Sequence, residues 1–541
     1  MLLAVPLIRG QDSRYAVRFT DKDTATNPYS LEEPGAFLSD KALERRQKQG
    51  IAVDLTDLPL APRYIDSVKP LIHHIQNRSK WLNLLVVEAP DSIVPQLTRK
   101  EFVRSVQRIA PATAKDGSTP LLSTQQADSS DKKSQSTRID SSLYGYTWGQ
   151  IEMLNGHRLH QSGYQGKGMT IAVMDAGFSN VDKLPAFDSL WMNDQILDVK
   201  DFEDHDGQVF DTHQHGTMVL SVIAANLPQK YVGTAPQANF MLFRTEVTRS
   251  EFISEEYNWV AAAEYADSAG AHIINSSLGY STFDSTAQNH TYQDMDGNTT
   301  PITRAADLAA SKGMLVVSSA GNLGNDPWHY ISAPADADSI ITVGAVDQNL
   351  HHASFSSVGP TYDGRIKPEV AAQGVATVVL TPDSSLVPGN GTSFSAPIIS
   401  GLTACLWQKY PDDTNMQLRH RLLNNSSQSG NPDSLIGYGI PNFSMAGDLS
   451  IEDIAHAAIQ VYPNPFKTHF YLSLPEVPLK NQTITVDIFD ILGKKRYTSQ
   501  YKGTVPRTIR IDALNDAPSG MYLIKLSLNQ RTILKEKIIK Q

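Results

Sequence analysis

The chain has 541 residues, 40% hydrophobic and 19% charged, which supplies several packed cores and argues against wholesale disorder. Acidic residues outnumber basic ones by 57 to 47, and a net charge of −10 excludes a general electrostatic grip on nucleic acid. No apolar run approaches the roughly 18 residues of a membrane-spanning helix, and the single Cys405 excludes an intrachain disulfide and any cysteine-rich metal site.

Residues 1–11 read as the apolar core and cleavage end of a secretory signal peptide that lacks the usual basic start, with an apolar first strand as the alternative. Residues 12–111 read as a small α/β module. Its expected elements are a strand at Arg14–Thr20, a helix between Ser39 and Gly50, an apolar strand at Leu82–Glu88, a helix at Asp91–Arg99 and a strand at Phe102–Ile109. That order suits an antiparallel sheet with two helices. Residues 112–142 are dominated by Thr, Ser, Lys, Asp and Gln; they read as an exposed linker and a site for proteolytic processing.

Between residues 143 and 450 apolar strands alternate with helices. The strands are Met169–Met174, Phe240–Phe243, His272–Asn275, Met314–Ser318 and Ile340–Val346; the helices include Glu255–Ala269, closed by Gly270, and Thr303–Ser311, closed by Gly313. The predicted fold class is α/β, a parallel sheet flanked by helices on both faces. Residues 455–541 switch to short strands between turns, at Phe470–Leu474, Thr483–Phe489, Lys494–Gln500, Thr508–Asp512, Met521–Leu528 and Thr532–Ile539, and predict a β-sandwich.

Four segments of the α/β region carry chemistry. Asp175 ends the apolar strand Thr170-Ile-Ala-Val-Met-Asp175, and parallel sheets build sites at the carboxyl ends of their strands. Taken alone it reads more readily as a turn or helix-cap residue. His215 in His213-Gln-His-Gly-Thr217 opens an apolar helix, followed by a glycine that permits close approach of another backbone. A solvated histidine or half of a metal site are its alternatives, and no His-Glu-x-x-His pattern supports zinc chemistry. Ser393 in Gly391-Thr-Ser-Phe-Ser-Ala-Pro397 stands at the start of a buried helix, with an N-cap role as the plain reading and Ser395 as a rival hydroxyl. Asn322, ending Ser318-Ser-Ala-Gly-Asn322, is either a turn residue or an amide donor to an oxyanion. A serine nucleophile needs a histidine to take its proton and a carboxylate to orient that histidine. The three side chains supply those roles together.

These segments resemble the four motifs of subtilisin-like serine peptidases, with support from Asn275–Gly279, Ala353–Gly359 and Lys367–Gly374. The resemblance implies an Asp175-His215-Ser393 triad, Asn322 at the oxyanion, and a pocket for the residue before the cut lined by Ser276, Ser277, Leu278, Gly279, Ser319, Ala320 and Gly321. Small residues there imply an open, weakly charged pocket for apolar or bulky side chains. Ala176 stands where the family usually has Ser or Thr, and Phe394-Ser395 where Met-Ala is commoner. Phe37–Arg46 and Ser79–Asn83 resemble the propeptide of Bacteroidetes-type members. Tyr462–Phe466, Ile491–Gly493, Ser519–Lys525 and Lys537–Lys540 resemble the C-terminal sorting domain of type IX secretion cargo.

The resemblance therefore implies a secreted or cell-surface serine endopeptidase made as a zymogen. Its partners are protein or peptide substrates, its own propeptide and the secretion machinery. The alternative is a catalytically silent surface-binding protein with the same fold. The triad chemistry requires no cofactor. A weak calcium candidate is the loop Tyr292–Thr299, where Asp294, Asp296 and Asn298 alternate around Gly297, although the full loop with its terminal glutamate is absent.

Overall fold

The structure, a computed structural model, describes residues 12–111, 143–444, 460–473, 483–502, 508–512, 514, 517–528 and 531–541; the expected signal peptide 1–11 and linker 112–142 lie outside the described residues. The chain divides into two units, residues 1–444 and 445–541.

The N-terminal module is a four-stranded antiparallel sheet of β1 (Asp12–Phe19), β2 (His74–Ser79), β3 (Leu84–Pro90) and β4 (Val103–Pro111), in the order β2-β3-β1-β4. Strand alternation sends Tyr15, Val17, Leu85 and Val87 into a core under the module's own helices, and Ala16, Leu84 and Val86 to the opposite face. Both faces are covered, so β3 opens with the apolar run Leu84–Val87. Helix α1 (Asp40–Gln49) starts where Ser39 accepts a hydrogen bond from the Ala42 N–H and ends where Gly50 turns left-handed at φ 69°. The expected helix at Asp91–Arg99 is a short 3-10 turn followed by a single helical stretch, Val94–Thr98; β2 and the helix Pro62–Val68 are additional.

The larger domain is built on seven parallel strands: β5 (Thr170–Asp175), β6 (Ile196–Asp201), β7 (Asn239–Arg244), β8 (Ile273–Ser276), β9 (Leu315–Ser319), β10 (Ile341–Val346) and β11 (Val370–Gln373). Their order is β11-β10-β9-β8-β5-β7-β6, so β5 and β8 sit at its centre. Helix α2 (His215–Ala224) packs on α5 (Thr392–Lys409), and α3 (Ser254–Ala269) on α4 (Pro301–Ser311). The five expected strands are present within one residue at each end; the edge strands β6 and β11 are additional. Among the described residues no helix is long and apolar enough to cross a membrane.

The free face of the N-terminal sheet is packed into the larger domain. Trp81, Leu82, Val86 and Ile109 share one buried cluster with Trp259 and Ala263 of α3 and Ala306 of α4. Charged groups rim the contact. Glu264 of α3 accepts from the Lys80 N–H at 2.7 Å and the Trp81 N–H at 3.0 Å. Asp267 pairs with Arg45 and, at 2.8 Å, with Arg46, whose guanidinium also forks onto Asp57 through two 2.9 Å bonds. Lys312 reaches the same Asp57 at 3.2 Å.

The C-terminal unit has two antiparallel sheets. One has the order Gln460–Tyr462, Phe470–Ser473, Thr508–Ile511; the other has Lys495–Lys502, Thr483–Asp490, Gly520–Leu528, Arg531–Lys540. Phe466, Phe470, Ile484, Val486 and Ile524 fill a single core between them, which makes the unit a β-sandwich as expected.

Five buried charges that compensate one another across an interface make each member hard to remove, because its partners are left unpaired at about 3–5 kcal/mol. Asp267→Ala strands Arg45 and leaves Arg46 with Asp57 alone, and the amides of α1 are expected to exchange with deuterated solvent on the order of 10²-fold faster or more. Unchanged exchange in α1 would show that the charge network does not hold the module in place.

Candidate active site

Asp175 ends β5 with its side chain fully buried. One carboxylate oxygen accepts from the Ala176 N–H at 2.8 Å, and the pair of oxygens faces His215 Nδ1 at 2.8 and 3.0 Å. His215 is the first residue of α2. The two elements meet because Gly216 has no side chain: a Cβ there would lie 2.3 Å from the Gly177 carbonyl oxygen and 3.0 Å from Asp175 Cβ. The expected close approach after the histidine is therefore between α2 and the turn that follows Asp175. Thr217 Oγ1 donates to the Ser179 carbonyl at 2.8 Å and fixes the same junction. Burial pulls the His215 imidazolium down, but the charge and hydrogen bond of Asp175 outweigh it and hold the group above its ordinary 6.5.

Ser393 lies in the first turn of α5, behind Gly391. Its Oγ donates to the Ser277 carbonyl at 3.3 Å, and among the described residues no hydrogen bond joins it directly to His215. The two side chains line one cleft, together with Leu278, Gly279, Asn322 and Phe394. The Phe394 ring, next to the serine, stands 6.0 Å from the His215 ring.

Pro397 inside α5 has no N–H, so the Ser393 carbonyl four residues earlier loses its helical donor. Ser277 Oγ supplies one at 3.0 Å. Ser277 in turn accepts from Asn275 Nδ2 at 3.2 Å, and Asn275 Oδ1 accepts from Ser400 of α5 at 2.7 Å. The end of β8 thus grips the first two turns of α5.

Asn322 accepts from the Thr392 N–H at 2.8 Å and from Thr392 Oγ1 at 3.0 Å, both through Oδ1. That fixes which end of the amide is which. A Cβ added to Gly391, whose φ is +150°, would sit 3.5 Å from Asn322 Nδ2 and 3.7 Å from the Ser393 nitrogen. Both nitrogens therefore border the space that Gly391 leaves empty.

Of the expected pocket residues, Ser277, Leu278, Gly279, Ser319 and Gly321 line the cleft. Ser276 and Ala320 do not. Strand alternation turns Ser276 to the opposite face, where it accepts from Trp259 Nε1 at 3.0 Å, and Ala320 is buried against Ile331 and Ala335. The calcium candidate has a different use for its oxygens. Asp294 caps Thr291 through its backbone N–H at 2.7 Å, and Asp296 accepts from the N–H groups of Asn298 and Thr299, each at 2.8 Å. Glu246, Glu251 and Glu255 are the group of acidic side chains among the described residues with oxygens close enough to surround one cation. Sequence reasoning missed Thr392, although it lies in a quoted motif, and Glu251, which no local pattern marks.

Sequence profiles of three families match successive parts of the chain. The Bacteroidota peptidase S8 propeptide domain covers residues 14–126, the subtilase family residues 166–439, and the secretion system C-terminal sorting domain residues 460–541. Similar proteins include M-protease of Shouchella clausii, 31% identical over 300 residues (55% of this chain, 69% of the relative). Subtilisin BL of Lederbergia lenta is 30% identical over 300 residues (55% and 97%). Subtilisin DY of Bacillus licheniformis is 29% identical over 284 residues (52% and 91%).

Removing the Ser277 hydroxyl leaves the buried Ser393 carbonyl without a donor. Ser277→Ala is expected to destabilise the domain by about 1–3 kcal/mol, read as a lower urea midpoint; an unchanged midpoint would mean that water replaces the hydroxyl at no loss.

Proposed function

The chain belongs to the subtilase family and is a secreted serine peptidase made with a propeptide and a sorting domain, and we propose that Asp175, His215 and Ser393 are its catalytic triad. His215 Nε2 takes the Ser393 proton as the hydroxyl attacks a peptide carbonyl, while Asp175 holds the ring through Nδ1–H and stabilises the imidazolium. The developing oxyanion enters the space above Gly391, between Asn322 Nδ2 and the Ser393 N–H. His215 then protonates the leaving amine, and water admitted to the cleft hydrolyses the acyl-enzyme by the same steps in reverse. The observation that carries this reading is the convergence of those two donors beside a buried Asp–His pair, in a cleft that also holds Ser393.

We assign residues 12–111 to the propeptide, 112–142 to the processing segment, 143–450 to the peptidase and 455–541 to the sorting domain. Residues 1–11 are the signal segment. No cofactor enters these steps. Asp294 and Asp296 are engaged in turn bonds, and we read the loop as a plain turn.

The test is the intact mass of the purified chain over time, as wild type and as Ser393→Ala. Loss of a segment ending within 112–142 is expected in the wild type only. Equal processing of both would mean that another protease makes the cut, and an absence of processing in both would count against Ser393 as a self-processing nucleophile.

The pH profile is a second test. The base must be neutral, so kcat/KM rises with pH through the His215 ionisation, at an inflection above 6.5. Asp175→Asn removes the charge that raises it; the inflection is expected to fall and kcat to drop on the order of 10⁴-fold. An inflection unmoved by the substitution would assign it to another group.

A further inference from the structure

The two segments that wall the cleft beside Ser393 each carry a glycine. Gly279 follows β8 and Gly321 follows β9, and both line the cleft with Leu278, Ser319, Leu323 and Ser332. A Cβ added to Gly279 would lie 2.5 Å from Ser332 Oγ, and one added to Gly321 would lie 3.1 Å from the same atom. The Ser332 hydroxyl therefore closes the slot between the two glycine walls. Each wall touches the first turn of α5. Ser277 Oγ donates to the Ser393 carbonyl at 3.0 Å, and the Gly321 N–H donates to Thr392 Oγ1 at 3.2 Å. The slot is thus next to the proposed nucleophile, where the side chain before the cut is expected.

Ser332 is held in place by its neighbours. Ala333 exchanges two backbone bonds with Tyr280, at 2.8 and 3.1 Å, and the Ile331 N–H donates to the Val358 carbonyl at 2.9 Å. The residue is 2% exposed, yet among the described residues its hydroxyl has no hydrogen-bond partner. The hydroxyls around it are engaged. Ser319 Oγ donates to the Leu278 carbonyl at 3.4 Å, and Ser357 Oγ accepts from the Leu323 N–H at 3.0 Å. A buried hydroxyl left unpaired is costly, and a fixed one that borders a cleft is matched by a group the cleft takes in. The atoms nearest the two glycines belong to Ser332, Ala333 and Ser357, none of them charged, so a charged tip would lose its water without gaining a counter-ion. An aliphatic or phenyl tip would leave the hydroxyl unpaired. The phenol of Tyr, or the amide of Gln or Asn, both gives and takes hydrogen bonds and pairs with it.

We propose that Ser332 is a specificity-determining residue of the pocket for the residue before the scissile bond, and that it selects an uncharged side chain with a hydrogen-bonding tip over its apolar counterpart. The proposal rests on the serine-peptidase reading and names the substrate class it acts on. It narrows the expectation of apolar or bulky side chains, because small walls leave room for bulk while the end of the slot asks for a polar atom.

The test is kcat/KM of the matured enzyme on three pairs of peptides that differ only at that residue: Tyr against Phe, Gln against Met, and Asn against Leu. Wild type and Ser332→Ala are compared. In the pair whose tip reaches the hydroxyl, the wild type is expected to cleave the polar member faster, and the ratio to fall at least about fivefold in Ser332→Ala. A smaller fall in every pair overturns the proposal. So does a wild-type preference for the apolar member of all three pairs, or for Lys, Arg, Asp or Glu at that position. Urea unfolding is the second measurement. A hydroxyl kept for the substrate leaves the midpoint of Ser332→Ala equal to or above that of the wild type; a lower midpoint assigns the hydroxyl a partner inside the protein and overturns the proposal. Failure to cleave any peptide refutes the catalytic reading separately. The pocket is then judged by the dissociation constants of the same pairs on both chains, and ratios unchanged by Ser332→Ala overturn it.

Discussion

Everything at the cleft depends on α2 and β5 meeting at their ends with no side chain between them. Gly216 permits this contact, and the 2.8 Å bond between Asp175 and His215 closes it. Because both groups are buried, the bond acts in a medium where it is strong and where either partner alone would be costly. A larger residue at 216 would push α2 from the strand and lengthen that bond before it unfolded anything. The catalytic order is therefore built into backbone geometry first and side-chain chemistry second.

The helix of the proposed nucleophile is positioned by a comparable device. Pro397 deprives the Ser393 carbonyl of its helical partner, and the Ser277 hydroxyl of the neighbouring strand end takes its place. A defect in the helix thus becomes a tether between α5 and β8. Thr392 does the same for the proposed oxyanion donor, holding Asn322 by its oxygen and leaving its NH₂ uncommitted to that contact. Each element that brings a reacting group is anchored within one or two residues of it.

The central strands, and the residues proposed as the triad, were legible because their signals are local. β5, β8 and β9 are apolar on both faces, and the motifs that end them contain the chemistry. The elements that escaped are edges. In β6 the sequence Ile-Leu-Asp-Val-Lys-Asp mixes charges into a half-exposed strand, and β11 is only four residues long. In β2 the difficulty is different: Gln76, Asn77 and Ser79 are polar yet buried, because Asn258, Glu203 and Glu264 of the other domain satisfy them. A polar residue buried against a partner reads, in sequence, as a solvated one. The acidic cluster was hidden for a related reason, since Glu246, Glu251 and Glu255 converge only when the segment after β7 folds back into α3.

The motifs of the N-terminal module acquire a physical meaning at that boundary. Arg45 and Arg46 end the Phe37–Arg46 stretch and grip Asp267; Ser79, Lys80 and Trp81 open the Ser79–Asn83 stretch and surround Glu264. Helix α3 runs back from the carboxyl edge of the sheet, so Asp267 lies at its far end, about 20 Å from the cleft by helix rise alone. At the near end Gln288 Nε2 donates to the Ile109 carbonyl while Gln288 Oε1 accepts from the Ile253 N–H, which brings the end of β4 beside Glu251 and Glu255. Among the described residues none of 12–111 lines the cleft itself. Docking of the module is thus made without the cleft. A cut beyond Pro111 leaves the charge network and the apolar face untouched. Release of the module then requires loss of that interface, which backbone cleavage alone does not supply.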